Sequence, residues 1–173
     1  VRALPHVQDV LTRVNFSGLA NNGRADLPVI GEGVEADREA RLGTAMSFIA
    51  GHTLQDDEPF GVIVGEGVAA ALQLKTGSPL NLTVNTPDGA LNTLEFTVVG
   101  VFRSFSKDYD DRAVRIAQAA AQELLYTQAI HSVVVALDNT VHTEAVVKVL
   151  RKQLGPLGYE VKSWQELADF YNK

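Results

Sequence analysis

One stretch of the sequence determines which fold classes are possible: FGVIVGEGVAAALQLKTGSPL, residues 60–80. Its first residues, Phe60–Val64, form a compact apolar run of the length of a buried strand. Gly65–Leu74 follows with an alanine-rich body typical of a helix. Lys75–Pro79 then combines Gly, Ser and Pro, which end regular structure. The stretch therefore predicts a strand, a short helix and a break, in that order.

Downstream of this break, the sequence predicts a hairpin followed by alternating strands and helices. The strands Leu80–Thr86 and Leu94–Phe102 flank Pro87-Asp88-Gly89, which supplies a fixed φ, a local side-chain hydrogen bond and a residue that tolerates positive φ. Thr143–Leu154 has the apolar face of a helix and is followed by Gly155-Pro156, which ends it. The other predicted elements are the strand Ala113–Ile116, the helix Ala117–Tyr126, the strand His131–Leu137, the strand Tyr159–Lys162 and a terminal helix.

Upstream of Phe60, the sequence predicts mostly strands. The predicted elements are a helical lead-in from Leu4, the strands Leu11–Ser17 and Leu27–Val34 around a turn, a helical turn at Glu35–Arg41, and irregular structure over 43–57. The whole order of elements indicates an α+β fold. We expect two lobes: a split βαβ-type lobe made from both chain ends, residues 1–36 and 111–173, and an inserted β-rich lobe, residues 37–110.

The composition excludes several classes of function. The 173 residues carry a net charge of −6, and the 15 Lys and Arg residues are scattered along the chain. Nucleic acids and anionic membrane surfaces require a basic patch, so we expect neither as a partner. No apolar run reaches the roughly 18–20 residues that cross a bilayer. The sequence contains no Cys, which excludes disulfides, thiolate metal ligands and thiol nucleophiles.

The most specific chemical motif is Gly65-Glu66-Gly67-Val68-Ala69-Ala70, which has the G-x-G-x-x-A pattern of a dinucleotide-binding loop. It follows a predicted strand and opens a predicted helix, and Asp88 lies at about the spacing of a ribose-binding carboxylate. However, the helix is shorter than three turns, and the next strand enters a hairpin rather than a crossover. Glu66 would also place a negative charge beside the phosphates. We therefore predict a helix start here and no nucleotide cofactor.

No other pattern predicts a catalytic or metal-binding residue. Asp108, Asp110 and Asp111 lack the Gly and the distal Glu of a calcium loop, which favours a solvated loop. Ser78 is followed by Pro79, which has no backbone N–H for an oxyanion hole. The histidines are not spaced as local metal ligands, so structural roles are favoured for them. These histidines are His6, His52, His131 and His142.

Six segments of the chain match, in order and spacing, the pattern of one protein family. They are Leu4–Val7, Val29–Glu39, Val62–Leu80, Phe96–Phe102, Ala121–Leu125 and Ser163–Leu167. Together they resemble the periplasmic core domain of ABC-transporter permeases of the macrolide-exporter (MacB-like) type, whose relatives include lipoprotein-releasing and FtsX-like permeases. The most specific segment is Val62–Leu80, which is similar to the family's run viiGe-x-lA-x-x-Lgl-x-vGd-x-v. Gly51-His52-Thr53 and Ser78-Pro79 depart from the family pattern, both within loops.

This resemblance implies an extracytoplasmic domain, in the periplasm, of a bacterial inner-membrane permease. It further implies a membrane helix before Val1 and another after Lys173 in the parent protein. In such transporters a separate cytoplasmic ATPase hydrolyses ATP, and this domain relays the motion to a periplasmic protein, lipoprotein or substrate. A pair of permeases in the intact transporter is a further expectation, and no enzymatic activity or cofactor is expected. The alternative is a substrate-binding domain that holds a lipoprotein or amphiphile in an apolar cleft.

The segment 102–111 is the candidate partner-binding site. It combines Phe105 and Tyr109 with charges of both signs in a predicted loop. Aromatic anchors with a charged rim are typical of transient protein interfaces, so we predict that Phe105 and Tyr109 bind a partner. The alternative is that both aromatic rings pack beneath the loop and tie the lobes together.

Overall fold

A computed structural model describes residues 4–42, 46–127, 130, 132–137, 140–163 and 165–166. Strands and helices are interspersed along these residues, which confirms the predicted α+β fold. The strands are β1 (Val7–Asn21), β2 (Asp26–Val34), β3 (Ser47–Gly51), β4 (Gly61–Gly65), β5 (Pro79–Asn85), β6 (Leu91–Arg103), β7 (Ala113–Ala117) and β8 (Ser132–Leu137). The helices are α1 (Ala36–Leu42), α2 (Glu66–Leu72), α3 (Lys107–Asp110), α4 (Gln118–Leu125) and α5 (Thr143–Leu154).

The chain forms two compact units. The first consists of Val1–Leu11 together with Val133–Lys173, and the second consists of Thr12–Ser132. The first unit therefore contains both chain ends. Its helix α5 buries Val146 and Leu150, which lie on the apolar face predicted from the sequence. The bounds of these two units differ from those of the two predicted lobes, which were residues 1–36 together with 111–173, and residues 37–110. The division into those lobes stays a prediction.

Within Thr12–Ser132, six strands form a closed ring. Its order is β2-β7-β4-β6-β5-β1, and β1 pairs with β2 to complete the ring. The β2–β7 and β4–β6 pairs are parallel, whereas the other pairs of the ring are antiparallel. Closure matters because paired strand edges expose few free backbone groups. The strand β3 adds to β6 outside the ring.

The core of this unit forms where alternate residues of the ring strands meet α2 and α4. Buried side chains with less than 2% exposure include Phe96 and Ile116 from the strands and Leu124 from α4. All five residues of β4 are buried, which requires cover on both faces of the strand. The compact apolar run in the sequence therefore marks a strand that is buried on both faces.

Four local predictions were wrong. Residues 4–6 form a turn rather than a helical lead-in, and β1 begins at Val7. The irregular stretch 43–57 contains β3, which is ordered by its pairing with β6 rather than by an alternating pattern of its own. The loop 103–111 contains α3, and Tyr159–Lys162 is not a strand. Most of the terminal helix, and His131, lie outside the described residues.

Candidate partner-binding site

The predicted partner-binding segment is a corner fixed by hydrogen bonds; residues 103–111 are called the α3 corner below. The Ser106 hydroxyl accepts a hydrogen bond from the backbone N–H of Tyr109 at 3.3 Å, which caps α3. The Asp110 carboxylate accepts hydrogen bonds from the backbone N–H of Ser104 at 3.0 Å and from its hydroxyl at 2.7 Å. Asp110 is buried. Its carboxylate therefore orders the corner, which corrects the prediction of a solvated acidic loop for Asp110, whereas Asp108 is exposed.

The α3 corner places the two predicted anchors in different environments. Phe105 is 63% exposed, whereas Tyr109 is only 6% exposed. The ring of Tyr109 packs against that of buried Phe102, with 6.0 Å between the ring centroids. Phe105 is therefore available to a partner, and Tyr109 occupies the buried position foreseen in the alternative interpretation. Partner binding by these residues stays a prediction.

Two exposed ion pairs flank Phe105 along the chain. Arg103 donates two hydrogen bonds of 2.7 Å to the carboxylate of Glu66, and Lys107 donates one of 2.9 Å to Asp111. The hydrogen bond from Arg103 lowers the pKa of Glu66, as does the positive charge of Arg103. Exposed pairs of this kind contribute little to stability. They give the surface around Phe105 charges of both signs.

The two glycines of the G-x-G-x-x-A motif allow α2 to approach the α3 corner closely. A Cβ atom at Gly65 would lie 2.7 Å from the carbonyl carbon of Asp110, and one at Gly67 would lie 2.6 Å from the α-carbon of Asp111. The backbone of the α3 corner thus fills the space beside these glycines, where a dinucleotide loop would receive its phosphates. Packing against the corner accounts for the glycine spacing, and α2 has seven residues.

A largely buried group of charged and phenolic side chains adjoins the α3 corner through Tyr109. It is called the charge cluster and consists of Arg13, Glu32, Glu39, Tyr109 and Arg115. Arg13 donates hydrogen bonds of 2.7 and 2.9 Å to the two carboxylate oxygens of Glu39. The hydroxyl of Tyr109 donates to Glu32 at 2.6 Å and accepts from Arg115 Nε at 3.2 Å. The cluster therefore connects β1, β2, α1, α3 and β7.

The charges of this cluster compensate one another. Arg13 lies 3.3 Å from Glu32, and Arg115 lies 3.8 Å from Glu32 and 3.9 Å from Glu39. Burial alone would raise the pKa of Glu32, but Arg115, Arg13 and the Tyr109 hydroxyl lower it below its usual value. Burial raises the pKa of Tyr109, so the phenol stays protonated at neutral pH. Two cations and two anions in close contact form a structural cross-link rather than a reactive acid or base.

A cavity of about 190 Å³ lies beside the charge cluster. Apolar side chains, including Val34, Phe48 and Ile63, form much of its lining, and Glu39 and Arg115 contribute to its wall. Pockets that enclose small molecules usually measure about 300–1,000 Å³. This cavity is smaller than the cleft that an amphiphile-holding domain needs.

The structure brings together two histidines that no sequence pattern connects. In the unit formed by the chain ends, the rings of His6 and His142 stack with 3.5 Å between centroids. Residues so far apart in sequence leave no local pattern. Over the described part of the chain, no three His, Cys, Asp or Glu side chains are grouped to hold a metal ion. No helix there is both long enough and apolar enough to cross a membrane.

The sequence of the chain matches one family model over most of its length. This model describes the MacB-like periplasmic core domain and matches residues 1–153 of the 173. The chain belongs to this family. The family resemblance predicted from six sequence segments is therefore confirmed.

Solved structures support the same fold. The extracellular domain of the ABC-type transporter YknZ from Gram-positive bacteria superposes with a TM-score of 0.63 at 13% identity, over 89% of this chain and 80% of that domain. The periplasmic region of MacB from Actinobacillus actinomycetemcomitans gives a TM-score of 0.59 at 14% identity. This superposition covers 89% of this chain and 71% of the MacB region. No curated protein matches the chain.

Membership of the MacB-like family establishes the class of molecule. The chain is an extracytoplasmic domain of an ABC-transporter permease, and it works as part of an ABC transporter complex.

Proposed function

We propose that this MacB-like domain relays motion from a cytoplasmic ATPase, through the transmembrane part of a bacterial inner-membrane permease, to a protein or substrate in the periplasm. The observation that carries the proposal is the family match over residues 1–153. In this proposal the domain catalyses no reaction, and ATP is hydrolysed by the separate ATPase subunit. Two copies of the permease are expected to pair in the intact transporter.

The charge cluster supports a mechanical role. A relay must resist deformation where force enters and leaves it. Breaking a buried ion pair by removing one partner costs about 3–5 kcal/mol, because the other charge stays buried without compensation. The cluster joins three strands of the ring to α1 and to Tyr109 of the α3 corner. The Thr12–Ser132 unit therefore has a stiff connection to the α3 corner, which carries the exposed Phe105.

The α3 corner is the proposed docking point for the periplasmic partner. Phe105 offers a large exposed aromatic surface, and its neighbours Arg103 and Lys107 are held in ion pairs. An aromatic anchor on an ordered backbone loses little conformational freedom when it binds. The partner is expected to be a periplasmic protein or a lipoprotein that contributes an apolar pocket for this ring.

The alternative, a substrate-binding domain for a lipoprotein or amphiphile, requires an apolar cleft. The cavity beside the charge cluster measures about 190 Å³ and has Glu39 and Arg115 in its wall. At this volume and with these charges in its wall, this cavity is not the apolar cleft that the alternative requires.

The relay is tested in the full-length permease, reconstituted with its ATPase in proteoliposomes. Replacing residues 1–173 with a flexible Gly-Ser linker should leave basal ATP hydrolysis and abolish transport, because the catalytic subunit is separate. Transport at the original rate with the linker would overturn the proposed function.

Docking at the α3 corner is tested with Phe105→Ser. Because Phe105 is 63% exposed, the unfolding free energy should change by no more than about 0.5 kcal/mol. Transport should fall several-fold while ATP hydrolysis continues. The matched control is Leu157→Ser, which removes a side chain that is 70% exposed in the other unit. Equal transport by Phe105→Ser and the control would show that docking occurs elsewhere.

A further inference from the structure

Two large apolar side chains lie exposed together at one end of the Thr12–Ser132 unit. Leu91, the first residue of β6, is 74% exposed, and Tyr126, directly after α4, is 82% exposed. Both line a depression of about 180 Å³. The hairpin surface is defined by the residues of this depression: Thr86, Asp88, Ala90, Leu91, Asn92 and Tyr126.

Hydrogen bonds fix the shape of the hairpin surface. The side-chain amide of Asn92 donates to the carbonyl oxygen of Leu124 at 2.9 Å, which ties the start of β6 to the end of α4. The hairpin itself closes through the backbone N–H of Thr86, which donates to the carbonyl of Ala90 at 2.7 Å. The two exposed side chains therefore stand on an ordered backbone, which lowers the entropy lost when a partner binds.

Tyr126 occupies a backbone conformation that disfavours it. Its φ of 58° and ψ of 45° place it in the left-handed region at the end of α4, a position that usually carries glycine. A bulky side chain there is strained, and this one buries little of its ring. Fold stability therefore gives no reason for tyrosine at this site.

The charged side chains of the hairpin and α4 are all acidic. Residues 76–102 and 116–127, which form the hairpin and α4, contain Asp88, Glu95 and Glu123 and no Lys or Arg. The hydroxyl of Thr86 donates a hydrogen bond to Asp88 and lowers the pKa of its carboxyl, so this group at the rim stays negative. Asp88 lines the depression beside Leu91 and Tyr126, and a negative charge next to an apolar surface repels anionic lipids and attracts basic protein segments.

We propose that the hairpin surface binds a protein partner through an apolar side chain flanked by Lys or Arg residues. This inference rests on the proposed relay function and adds a second contact to the docking point at Phe105. Leu91 and Tyr126 hold the apolar side chain, and Asp88 and Glu123 attract the flanking cations.

The probes are two synthetic peptides with the same Leu-Phe centre, one flanked by Lys and one by Glu, titrated into the ¹⁵N-labelled chain. The Lys-flanked peptide should shift the amide signals of Leu91, Asn92 and Tyr126 in a saturable way, and the Glu-flanked peptide should not. Binding should weaken several-fold as salt is raised, because the flanking charges are exposed. Asp88→Asn should weaken it several-fold as well.

The decisive variant is Leu91→Ser combined with Tyr126→Gly, with Leu157→Ser as the control. Glycine suits a φ of 58°, so this variant should melt no lower than the control. It should bind the Lys-flanked peptide at least tenfold more weakly. Equal binding of both peptides, or unchanged binding by the variant, would overturn the proposal. So would signals that shift with protein concentration alone, which would mark the surface as a contact between copies of the chain.

The same double substitution in the full-length permease separates this inference from the relay. If the linker abolishes transport but the double variant transports normally, the hairpin surface is not a functional contact and the relay stands. If the linker leaves transport intact, the relay fails, and the peptide titration still decides whether the surface binds basic segments.

Discussion

Replacing Tyr109 with Phe removes a single oxygen from the charge cluster and keeps the ring that packs on Phe102. The lost hydroxyl donates to Glu32 at 2.6 Å and accepts from Arg115 at 3.2 Å. A hydrogen bond to a charged group contributes about 1.5–3 kcal/mol. Arg115 stays 3.8 Å from Glu32, so the loss should stay below the roughly 3–5 kcal/mol of a broken buried ion pair. We expect Tyr109→Phe to lower the unfolding free energy by about 2–3 kcal/mol.

Thermal unfolding followed by circular dichroism measures this loss. For a domain of this length, 1 kcal/mol corresponds to about 2–4 °C in Tm, so Tm should fall by about 4–12 °C. The matched control is Tyr126→Phe, which removes the same atom from a side chain that is 82% exposed. Its unfolding free energy should change by no more than about 0.5 kcal/mol.

A loss below about 1 kcal/mol, or one equal to that of Tyr126→Phe, would refute the reasoning, because the hydroxyl would then not be part of a closed buried network. Loss of transport with an unchanged Tm would also contradict it. That result would place Tyr109 in the partner interface, as the sequence-based prediction has it.

Two further substitutions test the packing and the electrostatics of the same region. Gly65→Ala should cost about 2 kcal/mol and lower Tm by about 4–8 °C, because the added Cβ meets the Asp110 backbone at an ordinary φ of −64°. The control is Gly155→Ala, whose added Cβ has no heavy atom within 4 Å. Equal Tm values for the two variants would disprove close packing at the α3 corner. Although burial raises it, the arginines of the charge cluster and Tyr109 hold the pKa of Glu32 below its usual 4.5. The stability from this carboxylate is thus present above that pH and lost as pH falls through the lowered pKa. Urea unfolding measures the difference in unfolding free energy between the natural chain and Glu32→Gln. This difference should shrink as pH falls from roughly 5 to 2, and a constant difference would contradict the electrostatic account.

The elements with strong local signals could be predicted from the sequence. The helix Thr143–Leu154 has the predicted bounds, because its apolar face and the Gly155-Pro156 stop are both local. The hairpin around Pro87-Asp88-Gly89 follows from turn chemistry in the same way, and β5 and β6 pair as expected. The family resemblance likewise depended on short segments in order.

The closed ring and the charge cluster could not be predicted, because they depend on pairing between distant segments. Arg13 and Glu39 are 26 residues apart, and Glu32 and Tyr109 are 77 apart. One signal was nevertheless present in the sequence. Arg115 lies inside the short apolar strand Ala113–Ile116, and a charge within a buried strand requires an opposite charge nearby. That residue could have indicated the cluster, though not its partners.

The different environments of Phe105 and Tyr109 also had a partial signal. Ser106 followed by Asp108 is typical of a helix N-terminus. The prediction of a loop here did not take this signal into account. Helical spacing from Ser106 would still not have shown which of the two rings points inward. The inward position of Tyr109 depends on contacts such as its hydrogen bond to Glu32, 77 residues away.

The parallel pairing of β2 with β7 has a consequence for how the chain acquires its structure during synthesis. β2 ends at Val34, and β7 begins at Ala113, about 80 residues later. At roughly 5–20 residues per second, the ribosome needs about 4–16 s to produce the missing neighbour. During that interval a nascent β1–β2 hairpin has an unpaired edge along residues 30–34, so it can pair with a neighbouring nascent chain. Chaperone protection of the emerging chain is therefore needed most before residue 117 has been made.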